Sequence, residues 1–389
     1  VNTRYTPREM LEKLISFNTV SDRSNLDLIS FVEDYLGEYG IASTRVPDET
    51  GTKAALHARI GPAVEGGVVL SAHTDVVPVA GQNWSRDPFT AWESDGRLYG
   101  RGSADMKGFA ATALSKVPDF LAADLEKPIH IALSYDEEIG CFGAAPLVSD
   151  LLAKEPQPSF AIVGEPTNMK VVTGHKGIAV FKTRIRGHPA HSSQLHRGVS
   201  AISAAAKLIT WLDTRTAENK AAADPDCPFE PPYTTLHSGV IKGGQAHNIT
   251  AQHCEFATDI RLLPGDSAKA WIDAYQTYIE NHVLPDMLEI SADCSIDVEH
   301  LAYVPGLSEE PDGRAETEVR RLTGDNGRHV VVYATEGGIF QNHGLSTVVC
   351  GPGSIDQAHQ ADEYIELVEL DRCATFLDQL LAGLSQKQF

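Results

Sequence analysis

The sequence predicts an α/β fold in two domains. One is a discontinuous domain with a mostly parallel central sheet flanked by helices. The other is an inserted ferredoxin-like α+β domain. Three observations predict this. Short apolar runs alternate with helical patterns from Thr6 to Gly164, as in a βα-built sheet. After Gly177 the texture becomes apolar–polar alternation, the mark of half-buried antiparallel strands. Continuous apolar runs then return at 330–333 and 346–350, so the first domain resumes after an insertion. A chain of 389 residues also favours two domains over one. The expected boundaries are 1–179 with 303–389 for the discontinuous domain and 180–302 for the insertion.

Thr6-Pro7-Arg8-Glu9 combines an N-cap, a proline at the first helical position and an early acid. A helix therefore starts there and turns Met10, Leu11, Leu14 and Ile15 inward. A second helix over 26–39 stops at Gly40, a C-cap. Val68-Val69-Leu70-Ser71 is a short buried strand with His73 just beyond it, and 108–120 reads as a helix. The strand over 129–135 delivers Asp136-Glu137-Glu138, and Phe160-Ala161-Ile162-Val163 delivers Gly164-Glu165. Polar groups at such strand ends fit the rule that open sheets bind ligands at their carboxyl edge. In the insertion, an alternating strand over 178–187 leads to a helix over 198–214 and a polar, proline-bearing loop over 217–232. Strands over 233–241 and 252–263, a helix over 267–282 and a strand over 295–302 follow. That order is the ferredoxin-like one. A helix over 367–384 closes the chain.

A hydrophobic share of 42% supports a real core, and a formal net charge of -21 argues against nucleic acid as a partner, since phosphate binding needs a basic face. No run is apolar for the roughly 18 residues a membrane span requires, so no membrane partner is expected. The start, Val1-Asn2-Thr3-Arg4-Tyr5, lacks the apolar core of a secretory signal. The six cysteines are dispersed, without a CxxC pair, and read as free thiols of a reducing compartment. A cytoplasmic location is expected.

The chemistry lies in a spaced set of carboxylates and histidines: His73 and Asp75, Asp105, Glu137 and Glu138, Glu165, and the late His359. Nitrogen and oxygen donors suit a zinc-type Lewis acid, and a neighbouring free carboxylate suits water activation. Each residue alone has a plainer reading. His73 can be a structural histidine; equally, Asp75 can hold one imidazole nitrogen and leave the other for metal. Asp105, bracketed by Gly102 and Gly108, can be a turn-former or helix cap. Glu137 and Glu138 are neighbours that point to opposite sides of an extended segment, so they cannot share a role. As a pair they are an acidic turn, or one metal ligand and one base. Glu165 can be a surface acid, and His359 a loop histidine.

Taken together, Ser71-Ala72-His73-Thr74-Asp75, Gly100-Arg101-Gly102-Ser103-Ala104-Asp105-Met106-Lys107-Gly108, Asp136-Glu137-Glu138-Ile139-Gly140, Gly164-Glu165-Pro166-Thr167 and the late Gln357-Ala358-His359-Gln360 resemble, in order, the motifs of the M20-type metallopeptidase and amidohydrolase family. The resemblance implies that His73, Asp105, Glu138, Glu165 and His359 hold one or two zinc ions, with cobalt able to substitute. It implies that Asp105 bridges the metals, that a cis peptide joins Asp105 to Met106, and that Glu137 is the general base, with Asp75 beside it in the catalytic set. His191, in Gly187-His188-Pro189-Ala190-His191, is similar to a family histidine that reaches the site from the other subunit of a homodimer. It would donate to the developing oxyanion. Asn248 and Arg261 match positions that hold a substrate's α-carboxylate, and the inserted domain would serve as lid and dimerisation domain.

The stretches Tyr333-Ala334-Thr335-Glu336-Gly337 and Gly351-Pro352-Gly353-Ser354 are similar to the branch that deacetylates N2-acetyl-L-ornithine in arginine biosynthesis. In that branch Glu336 would pair the ornithine ammonium and Gly353 would line the substrate, a small N-acyl amino acid. Desuccinylases of succinyl-diaminopimelate, aminoacylases and dipeptidases are the sister readings. A non-catalytic binding protein on the same fold is the alternative of another class, although every expected ligand and base position is filled.

Overall fold

The computed structural model describes residues 3–385. Its strands in chain order are β1 (Ser43–Pro47), β2 (Ala54–Ile60), β3 (Val68–His73), β4 (Trp92–Ser94), β5 (Arg97–Tyr99), β6 (Ile129–Ser134), β7 (Phe160–Val163), β8 (Val172–His175), β9 (Gly177–Arg186), β10 (Thr235–Gly243), β11 (His253–Leu262), β12 (Ser295–Val304), β13 (His329–Val331), β14 (Ser346–Val349) and β15 (Tyr364–Glu366). The chain divides into one unit of 1–174, 307–330 and 335–389 and another of 175–306 with 331–334. The expected insertion of 180–302 falls a few residues inside the second unit, because β9 already begins at Gly177 and β12 runs to Val304.

The first unit is built on a sheet of order β1-β2-β6-β3-β7-β14-β8-β13. β6, β3, β7 and β14 run parallel at its centre. β2 joins β6 antiparallel, as β1 joins β2 and β8 joins β14. β3, β6 and β7 are buried along their whole length, which is why they read as unbroken apolar runs rather than alternating ones. The helices Pro7–Ile15, Leu26–Glu38, Lys107–Ser115, Arg314–Thr323 and Leu367–Leu384 contribute to one apolar core with these strands. Thr6 caps the first of them as expected: its hydroxyl accepts from the Glu9 amide while Glu9 accepts from the Thr6 amide. The single helix expected over 108–120 is two, Lys107–Ser115 and Val117–Ala122. Pro118 lacks the amide that would continue the ladder. β1 and β2 escaped the sequence reading because Arg45, Pro47 and His57 interrupt their apolar pattern. A small sheet, β15-β5-β4, starts the loop that carries Asp105 and ends the loop that carries His359.

The second unit has a four-stranded antiparallel sheet of order β10-β11-β9-β12 with its own core. With the helices Ala201–Ala221 and Ala268–Tyr278 this is the ferredoxin-like arrangement. Burial along β9 alternates strictly at its start, matching the sequence texture. Ala201–Ala221 outruns the expected end at 214, because Thr216 bonds both ways to the Leu236 backbone and Asn219 donates to the Thr234 carbonyl. These anchors make helix of residues that read as the start of the 217–232 loop. No described helix is long and apolar enough to cross a membrane.

Candidate metal centre

Three neighbouring parallel strands aim their carboxyl ends at one place. β3 ends on His73, β6 leads into Asp136-Glu137-Glu138, and β7 leads into Gly164-Glu165. Register keeps these ends level, with His73 opposite Ser134 and Ser71 opposite Val163. Gly164 lets the helix residue Phe109 pack against the end of β7: a Cβ there would fall 2.0 Å from the Phe109 ring.

His73 is buried, with Nδ1 2.9 Å from the Asp75 carbonyl oxygen and 3.6 Å from the Asp75 carboxylate. A carbonyl only accepts, so Nδ1 carries the proton and Nε2 is left for a cation. Nε2 lies 3.1 Å from Asp105 Oδ1 and 3.6 Å from Glu165 Oε1. His359 Nε2 lies 3.2 Å from Asp105 Oδ2 and 3.0 Å from Glu138 Oε2. Asp105 thus faces both histidines, one through each oxygen, and the Asp105–Met106 peptide is cis. His73, Asp105 and Glu138 bring ligand atoms within 4.8 Å of one another, as do His73, Glu137 and Glu165.

Asp75 does more than the sequence suggested. It accepts from Ser21 Oγ at 2.7 Å, from the Glu137 amide at 3.1 Å and from the Glu138 amide at 3.3 Å. The Asp75 carbonyl therefore sets His73, and its carboxylate sets the turn that presents both glutamates. Glu138 is tied to His359, whereas a Glu137 oxygen has the Cys141 thiol at 3.5 Å.

Burial, then Asp105, pushes Glu165 well above the usual carboxylate range. Burial also raises Glu137 well above it, the Glu138 charge adding to the effect. Glu138 is pushed up to about 7 by burial and by Asp105. Burial would raise Asp105 too, but bonds from His359 and His73 hold it low. Bonds to Asp105 and Glu138 raise His359 to about 10. Carboxylates packed this closely, out of water, call for positive charge beyond what two imidazoles supply. Glu165 Oε1 is buried without a hydrogen-bond partner among the described residues. The donor set, imidazole nitrogen with carboxylate oxygen, fits zinc or a similar divalent cation.

The other expected site residues are placed as follows. Glu336 is buried, and its two oxygens accept from the Ser71 and Ser134 hydroxyls. Gly353 has φ +84, and a Cβ built on it would lie 3.5 Å from the Ala104 methyl in the Asp105 loop. His191, Asn248 and Arg261 belong to the second unit. There, His191 bridges to Ile249, and the Ser192 amide donates to the Asn248 carbonyl. The Arg261 guanidinium is engaged by Asp259 at 2.8 and 3.1 Å. The sequence reading missed Ser21, Ser71 and Ser134. Single serines carry no spacing signal, and only the fold shows what they touch.

A model of the peptidase family M20/M25/M40 matches residues 69–383. The chain is 36% identical over 393 residues to the acetylornithine deacetylase of Yersinia pseudotuberculosis serotype O:1b (strain IP 31758), covering 98% of each chain. It is 34% identical over 385 residues to that of Proteus mirabilis (strain HI4320), covering 96% of this chain and 95% of the relative. Among solved structures, an M20 family metallo-carboxypeptidase from Sulfolobus solfataricus shares the fold, with a TM-score of 0.74, 16% identity and coverage of 98% of this chain and 99% of that one.

Proposed function

The chain belongs to peptidase family M20/M25/M40, whose members are metal-dependent hydrolases, and we propose that it is a zinc-dependent deacetylase converting N2-acetyl-L-ornithine to L-ornithine and acetate. The observation that carries the reaction class is the cluster itself: buried His73, Asp105 and Glu165 with Glu138 and His359, and Glu137 beside them. The substrate rests on the near full-length likeness to relatives named acetylornithine deacetylase.

His73, Asp105, Glu138, Glu165 and His359 would hold one or two zinc ions, with cobalt able to substitute. Such ions supply Lewis acidity and lower the pKa of water toward roughly 7. Glu137, raised by burial and untied to His359, takes the proton from the attacking water and returns it to the leaving amine. Asp75 orients His73 and both glutamates. In the proposed homodimer His191 donates to the oxyanion, and Asn248 and Arg261 hold the α-carboxylate, Arg261 exchanging its bonds to Asp259. Gly353 lines the acyl amino acid, the second unit acts as lid and dimerisation domain, and the enzyme works in the cytoplasm.

The test presents zinc-reconstituted protein with N2-acetyl-L-ornithine, N-succinyl-L,L-diaminopimelate and a dipeptide. The expected result is highest kcat/KM on acetylornithine. Preference for either alternative replaces the substrate, and failure on all three overturns the hydrolase reading.

A further inference from the structure

Two of the proposed ligands, Asp105 and His359, lie on loops whose backbone takes disfavoured conformations. Gly102 takes φ +80 where a Cβ would come within 2.6 Å of Val76. His359 itself adopts φ +62 and Asp362 φ +55, in the left-handed region that side chains other than glycine disfavour. Something must hold both loops. The small sheet brings them side by side, Tyr364 opposite Tyr99 and the Gly100 amide donating to the Glu363 carbonyl at 2.9 Å. Between them sits a buried ion pair, Arg101 to Glu363 at 2.7 Å, each side chain 1% exposed.

The Glu363 carboxylate accepts from three backbone amides of the Asp105 loop: Gly102 at 2.9 Å, Ala104 at 2.9 Å and Asp105 at 3.0 Å. Arg101, from that same loop, reaches back to the Gln360 carbonyl at 3.2 Å and to the Gln82 side-chain oxygen. Gln82 in turn donates to the His359 carbonyl at 2.8 Å, and the Trp84 ring stacks 4.9 Å from the Arg101 guanidinium. Asp362 accepts from the Ser85 amide and hydroxyl at 2.8 and 2.6 Å. Each loop therefore sends its charged member into the other loop's backbone, and each ligand stands next to a bond of this network.

We propose that Arg101 and Glu363, linked through Gln82, are positioning residues that lock the Asp105 loop to the His359 loop and so preset both ligands before a cation binds. The inference rests on the metal-centre reading. None of the three residues ligates; they act through the backbone that aims Asp105 and His359. Groups that orient metal ligands typically change metal affinity by 10–100-fold when removed.

The test measures zinc affinity of the chelator-stripped full-length protein by competition with a chromogenic chelator, for wild type, Glu363→Gln and Gln82→Ala. Far-UV circular dichroism confirms that each is folded. Glu363→Gln is expected to weaken zinc binding by about 10–100-fold and Gln82→Ala by about 10-fold. A purely structural role would lower the apo melting temperature and leave affinity unchanged. Breaking a buried pair can unfold a protein. If Glu363→Gln does not fold, the half-buried Gln82→Ala decides alone. Wild-type affinity in the folded variants overturns the inference. A wild-type protein that takes up no zinc overturns the metal-centre reading instead, so the two failures are distinct.

Discussion

At the residue scale, adjacent Glu137 and Glu138 acquire different surroundings. Glu138 pairs with His359, while Glu137 is left with its amide on Asp75 and its carboxylate beside the Cys141 thiol. A proton carrier needs that freedom, because a carboxylate spent on a cation has lost the lone pair it would use. Glu137→Gln keeps shape and removes basicity. It is expected to lower kcat by about 10²–10⁴-fold. Zinc content measured by inductively coupled plasma mass spectrometry should stay at the wild-type level; wild-type turnover would move the base elsewhere. Glu336 teaches the opposite lesson. Its position in Thr335-Glu336-Gly337 suggested a substrate contact, and the fold adds what no spacing announced: each of its oxygens accepts from a serine hydroxyl, Ser71 or Ser134. An acid's surroundings come from strands distant in sequence, and no local pattern announces them.

At the element scale, the central strands were legible because burial on both faces demands unbroken apolar runs, and their carboxyl ends were therefore legible as places for polar groups. β2 was hidden by His57, which the fold buries and pairs with Asp150 at 2.8 Å. β6 carries a similar surprise. His130 is buried within it, neither ring nitrogen having a partner among the described residues, and burial pushes it down to about 4 from the ordinary 6.5. Folded protein thus keeps His130 neutral where the unfolded chain would protonate it. Above pH 6.5 both states are neutral and nothing is lost. As the pH falls from 6.5 to 4, the unfolded state gains the proton first, and stability drops by on the order of 3 kcal/mol through this residue. His130→Leu should flatten that part of the pH dependence in urea denaturation; an unchanged slope would show that His130 does not carry it.

At the scale of the whole molecule, the first unit gathers its cluster from segments spread from His73 to His359, with the second unit's chain running between them. Such a centre exists only in the folded state, so a bound cation stabilises the fold by mass action. Zinc at a thousandfold excess over its Kd should add about 4 kcal/mol. Stripping with a chelator is therefore expected to abolish turnover and lower the melting temperature, and added zinc should restore both. Chelator-insensitive activity would rule out a metal-dependent reaction.

The α/β plan, the central strands and the polar groups at their carboxyl ends were readable from the chain. They follow from chemistry and periodicity that a few consecutive residues carry. Which residues orient those groups was not. Asp75 on the glutamate amides, the serines around Glu336 and the Arg101–Glu363 lock arise from long-range closure. Asp362-Glu363-Tyr364 stood in plain view after His359, yet a carboxylate's partners are chosen by whichever backbone the completed fold lays against it.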